Sequence, residues 1–374
     1  MGFIRENLLK IVIFIIVLVV LILVFTIFFG KNIAKKATTY NDMEGLLVNA
    51  TKKYANDNVN KIPTKEEESN KVTLDTLENF GYIKELKALE DANVKCTGYT
   101  QMFYKNKNVV YVPYLKCGKY YETKSIADYI LDKETIVSSG DGLYKKGNTY
   151  VFRGEEPNNY LGIGNRLYRI IDINENGEVR LISENKFDIS FVWDDRYNPE
   201  KDENSGFNTY SKSRLKEYFD YMIAYNDTDE KSEYNYFSAQ EMDKMIAHNV
   251  CTGKRSILDD RIDASVDCAE EEPNQYLSLI RISDYAQASI DQNCKTIYDK
   301  SCVNYNYLAH LGNNTFRTMN SVSDNSYQVY YINYGVADVT RASNSFNANL
   351  VIYIDKLSLY ASGLGTYDEP YVIR

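Results

Sequence analysis

The chain has 374 residues, with 43 Lys and Arg against 52 Asp and Glu for a net charge of −9. That balance excludes a nucleic-acid binder, which needs clustered cations to replace phosphate counterions. Only two histidines, His248 and His310, leave little for histidine-based metal sites or general-base chemistry.

Hydrophobic residues make up 44% of the chain, yet its mean hydropathy is −0.42, so an apolar block must sit on a polar background. From Ile11 to Phe29 every residue is apolar except Thr26. At about 1.5 Å per residue this run spans about 28 Å, close to the hydrocarbon thickness of a bilayer. It exceeds the roughly 7–15 apolar residues of a cleavable signal and meets no small-residue cut site. An uncleaved single-pass transmembrane helix is therefore expected at 11–29, with the lipid bilayer as its partner and residues 1–10 as a short cytoplasmic tail. Arg5 and Lys10 on one side and Lys31, Lys35 and Lys36 on the other leave the orientation to the cysteines. Cys96, Cys117, Cys251, Cys268, Cys294 and Cys302 all follow the apolar run in three neighbouring couples, the grouping that an oxidising exterior permits. The expected location is the cell membrane, N-terminus inside and C-terminal domains extracellular.

Ile33, Ala37, Tyr40, Met43, Leu47, Ala50 and Tyr54 then recur at helical spacing, so the spanning helix is expected to run on as an amphipathic stalk. Asn56-Asp57-Asn58 and Pro63 stop it, and Thr64 to Lys71 reads as a solvated loop. A short helix is predicted from Leu74 to Phe80, with Thr73 as N-cap and Gly81 as its stop. Two β-rich runs follow, Gly98 to Lys105 and Asn108 to Leu115, around a loop at Asn106-Lys107. A hairpin that pairs Lys105 with Asn108 carries its register back to Cys96 opposite Cys117. A disulfide there would contribute about 3 kcal/mol for a loop of this length.

Such a spanning helix, amphipathic stalk and small disulfide-closed sheet resemble type IV pilins and pseudopilins. The segments Ala50-Thr51-Lys52-Lys53-Tyr54, Gly81-Tyr82-Ile83-Lys84 and Tyr111-Val112-Pro113-Tyr114-Leu115-Lys116-Cys117-Gly118 resemble those of pilin-like proteins in Gram-positive bacteria. The resemblance covers roughly residues 1–125 and implies a pilin-like stalk domain at 30–125.

Residues 126–144 read as a connecting helix and linker, and a head domain is expected at 145–374. Strands are predicted at Tyr150 to Arg153, Leu167 to Ile173, Val179 to Ser183, Tyr276 to Ile282, Tyr327 to Asn333 and Leu350 to Ile354. Helices are predicted at Ser213 to Tyr225 and at Ala239 to His248, the second opened by the capping box of Ser238 and Glu241. Irregular alternation of strands and helices predicts an α+β class. The ending Gly363-Leu364-Gly365-Thr366-Tyr367-Asp368-Glu369-Pro370-Tyr371-Val372-Ile373 resembles the Gly-x-Gly-Thr-x-x-x-Pro-Tyr-x-Ile closure of bacterial extracellular modules similar to the C-type-lectin and formylglycine-generating-enzyme folds. Phe316-Arg317-Thr318 and Asn349-Leu350-Val351-Ile352 occupy the places of two further segments of that module, and Asn249-Val250-Cys251-Thr252-Gly253 is also similar. The resemblance implies a lectin-like head.

Few patterns carry chemistry. Asp172-x-Asn174-x-Asn176-Gly177 begins like a calcium loop, but its twelfth position is Ser183 where a bidentate Glu belongs, so a hairpin turn at Asn176-Gly177 is the better reading. Glu156-Pro157-Asn158 and Glu272-Pro273-Asn274 repeat the triplet with which C-type lectins hold calcium and sugar. The Trp193-Asp194-Asp195 segment does not stand where the lectin pattern needs it, and exposed turns explain both triplets. Asp259, Asp260, Asp263 and Asp267 read as a solvated acidic loop. Motifs for thiol exchange, zinc, a serine nucleophile or phosphate are missing. The 34 tyrosines supply amphipathic contact area, although antiparallel sheets accept tyrosine well.

The expectation is thus a membrane-anchored, non-enzymatic surface protein with no cofactor and no metal, its three cysteine couples bonded locally and its ligand an unidentified envelope component, glycan or protein. Two alternatives stand behind it: a pseudopilin-like subunit of a secretion or competence apparatus, processed after Gly2, and a formylglycine-generating-type enzyme, which needs free cysteines in the head.

Overall fold

The computed structural model describes residues 37, 39–66, 68–105, 107–187, 189–226 and 236–374. The chain divides into two units, one ending at Glu122 and the other beginning at Thr123.

In the first unit an 18-residue helix, Tyr40–Asp57, lays Met43, Leu47 and Ala50 on Met102 and Leu115 of a sheet, all at most 3% exposed. The sheet is antiparallel in the order Ser69–Thr73, Thr97–Lys105, Asn108–Cys117, Tyr121–Glu122. Lys105 pairs with Asn108 and Thr97 with Lys116, so the register delivers Cys96 to Cys117, and the two are bonded. The predicted short helix is Leu74–Asn79, with the Thr73 hydroxyl accepting from the Thr76 amide at 3.2 Å. Ser69–Thr73 is a strand where a loop is expected. It lies at the sheet's edge and buries only Val72, so its sequence lacks the apolar alternation that marks an inner strand.

Several expectations are corrected. The α+β assignment with a membrane-spanning rod gives way to a mostly sheet structure, with 35% strand and 21% helix among the described residues. Among the described residues no helix is long and apolar enough to cross a membrane; the apolar run at 11–29 lies outside them. The expected continuation into a stalk meets a discrete helix start instead. Thr39 is extended, its hydroxyl accepts from the Asp42 amide at 3.1 Å, and the Asp42 carboxylate accepts from the Thr39 amide at 3.0 Å. Such a reciprocal cap marks where a helix begins.

The second unit is built on a nine-stranded mixed sheet. Its path runs Met245–Ile246, Val351–Ile354, Val179–Ser183, Arg166–Ile173, Tyr160–Ile163, Tyr371–Ile373, Tyr360–Ser362, and Gly142–Lys146 joins it through Thr149–Arg153. The last strand of the chain, Tyr371–Ile373, lies parallel beside Tyr160–Ile163. A four-stranded sheet of Lys254–Arg255, Thr315–Val322, Gln328–Asn333 and Val336–Arg341 and two ribbons, Ser190–Val192 with Ser345–Asn347 and His248–Cys251 with Glu271–Gln275, complete it. The helix Ile126–Lys133, expected in a linker, buries Ile126, Ala127 and Ile130 in this unit's core. The predicted strand at Tyr276 to Ile282 is not formed; Ile282–Ala288 is a helix. The helix from Ala239 stops at Lys244 and the chain turns to strand, as the β-branched Ile246 and Val250 favour.

The Gly-x-Gly closure has a steric cause. Gly363 and Gly365 have φ of 95° and 77°, and a Cβ on either would strike Pro370 or the ring of Tyr371. The turn is tied by Leu364 N–H to the Glu369 carbonyl and by Tyr160 N–H to the Gly365 carbonyl, both 2.8 Å.

Four charges, three buried and Arg281 half-buried, join the sheet to the helix Ile282–Ala288. Arg180 donates to Asp172 at 2.9 Å through Nε and to Asp284 at 2.8 and 2.9 Å through both Nη atoms. Arg281 donates to the same Asp284 at 2.9 and 2.6 Å. Burial works against a charged Asp284, yet Arg180 and Arg281 hold its carboxyl below the ordinary 3.8. A lowered folded-state pKa gives stability that is complete above the unfolded value and fades as pH falls. The melting temperature should therefore drop between pH 4 and pH 2. In Asp284→Asn it should start lower, by about 3–5 kcal/mol of unfolding free energy, and show a shallower acid slope; calorimetry across that range checks both.

Candidate functional site

The helix Arg214–Asn226 carries two stripes, one apolar and one of tyrosines, with different fates. Leu215, Phe219 and Met222, at helical spacing, are at most 2% exposed and face the core. Tyr218, Tyr221 and Tyr225 lie beside them on the helix, with ring centroids 6.2 Å apart between Tyr218 and Tyr221 and 5.6 Å between Tyr221 and Tyr225. The helix is set in place at its start. The Ser213 hydroxyl accepts from Lys216 N–H at 3.1 Å, and Leu215 N–H donates to the Trp193 carbonyl at 3.0 Å. Trp193 is itself 1% exposed and packs edge-on against Tyr210.

This geometry opens a groove of 470 Å³ between the helix and the strand Ser190–Val192. Phe191 forms its floor, 5.3 Å from the Tyr218 ring and edge-on to it. Burial, and then the hydrogen bond with Tyr236, push the Tyr218 phenol up to about 12, so it remains a neutral hydroxyl. Tyr221 forms the open wall at 51% exposure. Along the rim Arg214 stands between two carboxylates, 2.8 Å from Glu217 and 3.8 Å from Asp195. The groove thus joins exposed and half-buried aromatic faces to a polar edge offering both donors and acceptors.

A second cavity, of 190 Å³, is walled by Lys146, Tyr307 and the Arg180, Asp172, Asp284 and Arg281 network. There the charged atoms are spent on one another.

Motif residues fall elsewhere. Asn174 and Gly177 close a hairpin turn, with Gly177 N–H on the Asn174 carbonyl at 3.0 Å, while Asp172 serves Arg180. Glu156 and Asn158 are exposed around a buried Pro157, and Glu272-Pro273-Asn274 sits in the strand Glu271–Gln275. Asp194 is buried and ion-paired to Arg196, which leaves Asp195 as the part of Trp193-Asp194-Asp195 that reaches the groove. The acidic run is solvated only in part: Asp260 and Asp263 are exposed, whereas Asp259 is half-buried and Asp267 buried. Arg255, 0% exposed, holds the latter two, donating to Asp267 at 2.7 Å and to Asp259 at 3.4 Å, and also to the Arg261 carbonyl at 2.7 Å. Among the described residues no three His, Cys, Asp or Glu side chains form a metal-sized group. Cys251 is bonded to Cys268 and Cys294 to Cys302.

No family model, curated protein or solved structure matches the chain. The groove stands on its geometry alone. The number of tyrosines in the sequence hides it, although the spacing of Tyr218, Tyr221 and Tyr225 beside Leu215, Phe219 and Met222 already separates two helix faces.

The two stripes should respond differently to truncation. Phe219→Ala should cost about 3–5 kcal/mol of stability through the cavity it leaves, whereas Tyr221→Ala should stay within about 0.5 kcal/mol, as surface changes do. Urea denaturation of both variants checks the contrast.

Proposed function

We propose that the chain is an extracellular, non-catalytic binding protein whose larger unit takes a glycan in the groove between Ser190–Val192 and Arg214–Asn226. The observation that carries this is the placement of the exposed Tyr221 ring beside the rim of Asp195, Arg214 and Glu217. Sugars present flat C–H faces that lie on aromatic rings and hydroxyls that need donors and acceptors at the ring edge. A volume of 470 Å³ is in the range of small-molecule sites and accommodates a short oligosaccharide segment.

Two further features support binding over turnover. Arg214 lies against both rim carboxylates, whereas glycoside cleavage requires one carboxyl of such a pair to be protonated as an acid. The cysteines are all bonded, which removes the thiol pair that the enzyme resemblance requires and accords with an oxidising compartment.

A glycan array probed with the whole chain is expected to yield a defined set of ligands. Tyr221→Ala should weaken binding to them at least tenfold, about 1.4 kcal/mol, without changing the circular dichroism spectrum. Equal binding by Tyr221→Ala, or no ligand on the array, overturns the assignment.

A further inference from the structure

The three disulfides sit in three different electrostatic settings. Cys96 and Cys117 are both 0% exposed in the core of the first unit. Cys294 and Cys302 place their sulfurs against carbonyl oxygens, Ala286 at 3.4 Å and Thr296 at 3.3 Å, and Cys302 is 1% exposed. A thiolate on either would face the negative end of a carbonyl dipole. Cys251 and Cys268 are half-buried and face a cation. Arg281 directs Nη1 at both sulfurs, 3.1 Å from Cys268 and 3.5 Å from Cys251.

The rest of that guanidinium is already engaged. Nε and Nη2 of Arg281 are held on Asp284, which also accepts from Arg180. Arg281 is therefore fixed in orientation, and Nη1 meets divalent sulfur, a weak acceptor. A thiolate in the same place is a full negative charge and a far better partner. The geometry favours the state in which the bond is broken and the electron pair rests on Cys268, the nearer sulfur. An adjacent cation lowers a cysteine pKa, and a low-pKa thiol is the better leaving group in exchange.

We infer that Cys251–Cys268 is a thiol-exchange site, in which an external thiolate attacks Sγ of Cys251 and Arg281 receives Cys268 as the leaving thiolate. In the first step the incoming sulfur bonds to Cys251 Sγ, the Cys251–Cys268 bond breaks and its electron pair goes to Cys268. In the second, another thiolate attacks the incoming sulfur of the mixed disulfide and releases Cys251. The balance is two thiols oxidised to one disulfide and one protein disulfide reduced to two cysteines. The two thiol protons go to Cys251 and, for the fraction of Cys268 that stays ionised against Arg281, to solvent. The same charge that keeps Cys268 ionised when the bond is open makes this pair more reducible than Cys294–Cys302.

Glutathione redox buffers and, separately, reduced thioredoxin test this on the full chain, with differential alkylation and mass spectrometry reading each cysteine. Cys251–Cys268 should open before Cys294–Cys302, with an exchange equilibrium at least tenfold further toward reduction, about 30 mV for a two-electron couple. Trapped glutathione should appear on Cys251. Opening by both reagents assigns the site to small thiols as well as proteins; opening by thioredoxin alone assigns it to a protein dithiol. Arg281→Gln should remove most of the preference and Arg281→Lys should keep part of it. If Arg281→Gln does not fold, the order of opening within the native chain still decides. Simultaneous opening of the two pairs, glutathione trapped on Cys268, or a folded Arg281→Gln with unchanged order overturns the inference.

Discussion

The larger unit hangs on one carboxylate. Asp284 accepts two guanidinium forks, from Arg180 on the central sheet and Arg281 at the start of its own helix. Ions that have left water need satisfied partners, and loss of one leaves the others stranded. A sheet irregularity makes the arrangement possible. The register shifts between Ile170 and Asp172, which sets Asp172 opposite Arg180 as the second acid that balances the two cations. Sheet, helix and disulfide loop are thereby locked to one another through a handful of polar atoms inside an otherwise apolar core.

Arginine repeats this role elsewhere in the unit. Arg255 collects the loop between Cys251 and Cys268 from a fully buried position. Arg317 is buried with no ion pair among the described residues: burial lowers its pKa to about 9, its ring partner is Phe346 at 5.0 Å and it donates to the Asn344 carbonyl. A chain with many short strands and long connections cannot hold its loops by apolar contact alone. A guanidinium with five donors can bind several backbone carbonyls and carboxylates at once.

What the sequence discloses follows how local the cause is. The caps at Thr73 and Ser238, the hairpin that brings Cys96 to Cys117 and the turn at Asn174 to Gly177 each depend on residues within a few positions, and they are legible. The strand Val179–Ser183 is legible too, because Val179, Leu181 and Ile182 are β-favouring apolar residues that follow a clear turn. Long-range facts are not. Nothing near Asp267 in the chain says that Arg255 will bury it, so an acidic run looks solvated. Nothing near Tyr276 reveals that the ribbon forms one segment earlier, over Glu271–Gln275, with Glu, Pro and Asn in place of β-formers. The groove is intermediate: its helix is legible, but its floor strand, Ser190–Val192, is fixed by pairing with the distant Ser345–Asn347.

The placement of Tyr371–Ile373 inside the sheet, flanked by Tyr160–Ile163 and Tyr360–Ser362, bears on biogenesis. A strand wedged between neighbours leaves two rows of peptide groups unsatisfied until it arrives. Residues 371–373 must be in place before the sheet can close, so its earlier strands cannot complete it alone. Until then Tyr160–Ile163 presents an open flank of unpaired peptide groups, the kind of edge on which another extended segment can add.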